Sequence, residues 1–201
     1  MIITVTGQKG GTKKTTTALN IGQILKADTI IDLETNDSIG VINNLRKENK
    51  LNVVKYDDRR DLANFLVNVK ASETVIIDCG GFDSDLVNIA IKAADQIIIP
   101  ISEGVTDLNG LINTNTKLEE IGIDTPAIVF PNGEAHNKKH FNELASIIEK
   151  LPTMVFKPGL AVPSCTYVKE ALKKGLSIAE YNKHCNSFRA YTKLCNELLP
   201  F

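Results

Sequence analysis

Tryptophan is missing altogether from the 201 residues, which leaves few aromatic platforms for stacking single-stranded bases and argues against that activity. No run approaches the roughly 18 apolar residues that a membrane-spanning helix requires. The four cysteines, Cys79, Cys165, Cys185 and Cys195, include no Cys-x-x-Cys pair, so a zinc site, a redox dithiol and a thiolate-held cluster are all disfavoured. A reduced cytoplasmic setting is the simplest expectation. Net charge is lacking too. At -1 it gives no global basic signal, and any grip on DNA phosphates has to come from a local patch or from an oligomer that gathers several. The chain opens directly on the strand-like Ile2-Ile3-Thr4-Val5-Thr6, so no positive segment followed by an apolar signal core is expected there.

What is present is ordinary for a globular protein: 43% hydrophobic and 23% charged residues, in a length that buries one substantial core and leaves a second domain cramped. A single domain over residues 1–201 is expected. Short β-branched runs alternate with longer helix-compatible stretches, the signature of βαβ units. The strand candidates are Ile2 to Thr6, Thr29 to Leu33, Asn52 to Tyr56, Thr74 to Asp78, Gln96 to Ile101, Ala127 to Phe130 and Thr153 to Phe156. Val75-Ile76-Ile77 and Ile97-Ile98-Ile99 are apolar at every position, as central parallel strands covered on both faces are. Helical apolar spacing marks Thr15 to Lys26, Arg60 to Val69, Asp83 to Ala93, Thr106 to Glu120, Asn137 to Lys150 and Ser187 to Leu199. The predicted class is α/β, a doubly wound, mostly parallel sheet with helices on both faces.

The strongest chemistry follows the first strand. A strand ending at Thr6, a loop with Gly7, Gly10 and Gly11, and Lys14-Thr15-Thr16 opening a helix form an arrangement that holds a nucleotide's phosphates. Glycines let the backbone approach, and amides at a helix N-terminus offer partial positive charge to phosphate oxygens. Lys14 is then placed for the β- and γ-phosphates and the Thr15 hydroxyl for Mg²⁺. The plain alternative is a Gly-rich turn with solvated lysines. The pattern G-x-x-x-x-G-K-[ST] fails at both glycines, where Gln8 and Lys13 stand, whereas K-G-G-x-x-K-[ST] fits as Lys9-Gly10-Gly11-Thr12-Lys13-Lys14-Thr15.

That segment resembles the deviant phosphate loop of the ParA/MinD family of ATPases, in its small form without an added DNA-reading domain. The resemblance implies a P-loop fold, ATP or ADP with Mg²⁺ as cofactors, and nucleotide contacts from Gly10, Gly11, Thr12, Lys13, Lys14, Thr15 and Thr16. It also implies a nucleotide-sandwich homodimer in which Lys9 reaches the partner's phosphates. The family carries Gly where this chain has Lys13, a position where a side chain strains or crowds the loop. Lys13 is therefore a natural divergence, a change that traps or abolishes activity, or an extra positive contact. At Ile30-Ile31-Asp32-Leu33-Glu34, Asp32 matches the first acid of an Asp-x-Asp pair and Glu34 replaces the second, which implies a water-positioning role for Glu34. Val75-Ile76-Ile77-Asp78-Cys79-Gly80-Gly81 has the form of a Walker B strand, implying that Asp78 supports Mg²⁺ while Gly80 and Gly81 let the next loop sense the γ-phosphate.

Phe130-Pro131-Asn132 ends a strand where the family contacts the base, which makes Asn132 an adenine-contact candidate, although Asn-Gly after a strand also reads as a turn. The resemblance further implies DNA partition: non-specific DNA binding in the ATP state, a nucleoid-associated cytoplasmic location, and stimulation by a centromere-binding, ParB-like partner. The cationic candidates are Lys138-Lys139-His140 and Lys169, Lys173, Lys174, Lys183, Arg189 and Lys193, which a solvated helix face also explains. His136 and His140 lack a convincing metal partner. The last helix, with Phe188, Tyr191, Leu194, Cys195 and Leu198 at helical spacing, reads as packing against the domain, with a MinD-like membrane helix the alternative. A nucleotide-binding switch or pseudo-ATPase, and a metabolic ligase sharing the loop, are the competing functions.

Overall fold

In the computed structural model, residues 1–8, 11–80, 84–102, 104–138 and 140–199 are described. The β-branched runs become the strands β1 (Ile2–Val5), β2 (Thr29–Asp32), β3 (Val53–Val54), β4 (Val75–Asp78), β5 (Gln96–Ile101), β6 (Ala127–Glu134), β7 (Met154–Phe156) and β8 (Val162–Pro163). Between and after them lie α1 (Lys14–Ile24), α2 (Ser38–Asn44), α3 (Arg59–Val67), α4 (Asp85–Lys92), α5 (Val105–Ile121), α6 (Asn142–Ile148), α7 (Thr166–Leu172), α8 (Ile178–Tyr181) and α9 (Asn186–Leu198). The sheet runs β3-β2-β4-β1-β5-β6-β7, with β8 beside the far half of β6, and the pairings are parallel. The expected doubly wound α/β class is what forms.

Period-two alternation sorts each buried strand between two apolar layers. Ile31, Val75, Ile77, Ile97 and Ile99 face Leu62 and Leu66 of α3, Val87 and Ile91 of α4, Leu118 of α5 and Leu144 of α6. Ile3, Val5, Ile30, Ile76 and Ile98 face Ala18 and Ile21 of α1, Ile39 of α2, Ile178 of α8 and Tyr191, Leu194 and Leu198 of α9. Each such buried aliphatic side chain contributes about 2 kcal/mol of transfer free energy. Helix α1 lies so close to β2 that a Cβ on Gly22 would come within 2.9 Å of Ile30 Cδ1. The apolar stripe of α9 is thus spent on the core, as packing and not as a free membrane face. No helix among the described residues is long and apolar enough to cross a membrane.

Some expectations change at the edges. The strand expected over Asn52 to Tyr56 shrinks to Val53–Val54, since it is bonded to β2 on one side only. The strand expected to stop at Phe130 continues to Glu134, because β8 supplies a partner for Asn132 and Glu134 across a register irregularity. The helix expected over Asn137 to Lys150 shortens to α6. Helices α2, α7 and α8 add to the elements that periodicity marks.

Candidate active site

Parallel pairing sends the carboxyl ends of β1, β2, β4, β5 and β6 to one rim. β1 lies between β4 and β5; the chain runs from β1 toward β2 and β3 on one side and later from β4 past β1 to β5 on the other, and the crevice at such a switch point is where an open α/β sheet binds ligands. The loop after β1 turns through Gly7 (φ +144), Gly11 (φ +88) and Lys13 (φ +66) before α1 begins at Lys14. Lys9 and Gly10, together with Gly81 and Lys139, lie outside the described residues.

Lys14, buried to 6% exposure, brings its Nζ to 3.7 Å from Glu34 Oε1, so the first turn of α1 and the loop after β2 converge. Asp32 is fully buried. Its Oδ1 accepts the Glu34 N–H at 2.9 Å and its Oδ2 the Ile39 N–H at 2.8 Å. Asp32 therefore holds the Glu34 turn and the start of α2. Burial raises its pKa, and those N–H donors oppose the rise.

Asp78 differs. It is fully buried, and among the described residues neither carboxylate oxygen has a hydrogen-bond partner; the Thr15 hydroxyl stands beside it without the geometry of a full hydrogen bond. Desolvation pushes its pKa up from 3.8 to about 8; Thr15 and Lys14 pull down, while the charges of Asp32 and Glu34 push up. A buried carboxylate without donors is costly unless something neutralises it. Thr15 stands beside Asp78, and Glu34 is near enough to act on its charge; these are hard oxygen donors of the kind that suits Mg²⁺. Among the described residues, no group of three or more His, Cys, Asp or Glu is arranged to hold a metal; Asp78 and Thr15 would hold such an ion, with water completing its shell. Mg²⁺ tolerates that.

Lys13 turns away from this centre. Its backbone occupies the left-handed region where the family pattern has glycine, and its side chain crosses Gly133 so closely that an added Cβ there would overlap Nζ. Desolvation, opposed by Glu134 and reinforced by Lys169, lowers its pKa. With Thr16, Asn132, Gly133, Val168 and Tyr191 it lines a cavity of about 160 Å³. Asn132 is buried there, and its Nδ2 donates to Thr17 Oγ1 at 3.0 Å. Tyr191 shares that polar group, and burial pushes its phenol up to about 12. Thr12 is buried and lines a separate small cavity with Gly7, Gln8 and Thr114.

On the opposite flank, Glu34 and Gly80 share a cavity of about 500 Å³ with Thr35, Lys55, Tyr56 and Ser84. Lys55 and Tyr56 carry no motif, and only the parallel pairing of β3 with β2 brings them here. His136 lies against Asn186, not against another ligand. Lys138 pairs with Glu134 at 3.2 Å, whereas Lys169, Lys173, Lys174, Lys183 and Arg189 are exposed. Lys193 donates to the Gly159 carbonyl at 2.9 Å.

No protein-family model matches the chain, and no curated protein matches it in sequence. Solved structures do match in shape. A MinD cell division protein of Aquifex aeolicus superposes with a TM-score of 0.73 at 17% identity, covering 100% of this chain and 99% of that one. A MinD of Pyrococcus horikoshii complexed with Mg-ADP gives 0.70 at 17%, over 98% and 95%. A putative plasmid partition protein of Borrelia burgdorferi bound to AMPPNP gives 0.71 at 16%, over 98% and 96%. At these identities the likeness establishes the fold, which is that of MinD and the ParA-like partition proteins.

Proposed function

We propose that this chain is a ParA/MinD-type ATPase that binds ATP and Mg²⁺ at the N-terminus of α1 and acts as a nucleotide-dependent switch. The observation that carries this reading is Asp78, a fully buried carboxylate without a donor among the described residues, set beside Thr15 and facing Lys14 and Glu34. Mg²⁺, when bound, neutralises charge on phosphate oxygens. Lys14 is the cation for the β- and γ-phosphates, Thr15 and Asp78 hold the metal, and Gly10, Gly11, Thr12 and Thr16 frame the loop. Glu34 orients the attacking water, held in place by Asp32. Lys9 acts across a homodimer, and Asn132 borders the cavity beside α1 that takes the base. The exposed lysines of α7 and its surroundings support non-specific DNA binding and a nucleoid-associated role in partition, with a ParB-like partner stimulating turnover.

The competing reading, a binding-only switch, is favoured by one observation: Lys13 holds a left-handed backbone that glycine adopts freely. Its side chain, however, is turned toward Gly133 and leaves the centre at Asp78 clear. Titration with ATP and Mg²⁺ by calorimetry, with phosphate release measured for the wild type and Lys13→Gly, tests both. Nucleotide binding with turnover in both proteins supports the ATPase. Turnover only in Lys13→Gly makes this chain a trapped switch, and no binding by either sinks the proposal.

A further inference from the structure

The chemistry above uses none of the cysteines. Cys79 and Cys195 are buried, whereas Cys165 and Cys185 are partly exposed. Cys165 immediately precedes α7 and Cys185 immediately precedes α9. The Ser187 hydroxyl donates to the Pro163 carbonyl at 3.0 Å, which pins the first turn of α9 to β8. Residues two positions from each cysteine are thereby held together. The Cys165 thiol lies close enough to Cys185 to perturb it. Cys165 also lines the cavity beside Lys13 and Thr16, so a small solute can reach it. Cys185 Sγ accepts the Phe188 N–H at 3.4 Å, a contact that supports negative charge on that sulfur. Burial outweighs that contact and pushes the Cys185 thiol up, and Cys165, which borders the cavity, is the thiol that a solute there meets first.

We propose that Cys165 and Cys185 are a dithiol modification site that closes to an intramolecular disulfide when the protein meets hydrogen peroxide. Cys165 as thiolate attacks the peroxide, breaks the O–O bond and becomes a sulfenic acid, with one oxygen leaving as water after protonation. Cys185 as thiolate then displaces the sulfenic hydroxyl, which also leaves as water, and the sulfur–sulfur bond forms. Two thiols are oxidised and one peroxide is reduced to two waters. A dithiol reductant reverses the change. The bond ties the start of α7 to the start of α9 and fixes one wall of the cavity that Lys13 borders. No local pattern announces this pair, since the two residues are far apart in the chain and only the return of α9 onto β8 joins them.

The test uses the full chain, reduced and freed of reductant, then exposed to hydrogen peroxide and quenched by alkylation. Intact mass under non-reducing conditions is expected to show two fewer alkyl groups than the untreated, alkylated protein, with two hydrogens lost besides. Tryptic mapping is expected to link the peptide of residues 151–169 to that of residues 184–189, and dithiothreitol to release them. Cys165→Ser and Cys185→Ser each abolish the link, and Cys79→Ser leaves it intact. Recovery of the two peptides as separately alkylated or separately over-oxidised species, or linked only between chains, overturns the proposal. Circular dichroism of each variant confirms that its fold persists, so loss of the link reads on the thiol and not on unfolding.

Discussion

Replacing Asp78 by asparagine keeps the shape of a fully buried side chain and removes its proton equilibrium. In the folded protein this carboxyl holds its proton up to about pH 8, against 3.8 in its ordinary surroundings. The folded state therefore carries one more proton than the unfolded chain between those values. Its stability is greatest below that window and declines as the pH rises to about 8, beyond which the contribution is flat. A rise from 3.8 to about 8 corresponds to at most about 6 kcal/mol, at about 1.4 kcal/mol for each tenfold change in proton affinity. Relaxation around the buried charge is expected to leave roughly half of that. The Asp78→Asn side chain is a buried amide without a partner, a fixed penalty of about 1–3 kcal/mol that does not vary with pH. The difference in unfolding free energy between the two proteins should thus swing by about 3 kcal/mol in favour of the variant between about pH 4 and 8. Urea unfolding at several pH values, without nucleotide and with EDTA present, measures it. Parallel pH profiles for the two proteins would refute the account of Asp78 as an uncompensated buried acid.

Further substitutions probe the loop and the contacts that clasp α2 to α8. Lys13→Gly removes a left-handed lysine and should stabilise the fold by about 1 kcal/mol, a rise of about 2–4 °C in thermal melting. Gly133→Ala forces a Cβ onto the Lys13 side chain at φ +90 and should cost about 1–3 kcal/mol; in the Lys13→Gly background denaturant melts should recover part of it, since the overlap goes and the dihedral stays. Arg46 is buried and donates to the Gly175 carbonyl at 2.7 Å, to the Asn49 carbonyl at 2.9 Å and to both oxygens of Glu180. Arg46→Ala should therefore destabilise by about 3–5 kcal/mol in chemical unfolding. Desolvation works against it, yet Arg46 and Ser177 hold Glu180 below the usual carboxylate range, so this support is present above that range and is lost as pH falls through the lowered value. Glu180→Gln should flatten the acid limb of the stability profile.

The central strands were legible because a run such as Val75-Ile76-Ile77 has one stable destination, a sheet covered on both faces. The phosphate loop was legible because Gly7, Gly11 and the Lys14-Thr15 pair serve backbone needs that few sequences meet by accident, and even the unusual demand at position 13 was readable from the glycine expected there. Helix α2 was not, because Gly40 and two asparagines weaken its pattern and its start is fixed by Asp32, seven residues before the amide it accepts. Helices α7 and α8 are short, and β-branched Thr166 and Val168 read against the first. What Lys13 touches, the isolation of Asp78 and the arrival of Lys55 and Tyr56 beside Glu34 all depend on strand order, which no local window contains.

Strand order also bears on how the chain is made. Ribosomes synthesise β1 well before its neighbours β4 and β5, which begin at Val75 and Gln96. Until both have been synthesised, one or both edges of Ile2–Val5 stay open, with the candidate phosphate loop hanging from an unanchored end. An open apolar edge invites pairing with other chains. Truncations that stop before β5 should accordingly be insoluble, while a chain halted after β6 already holds every strand end that surrounds Lys14.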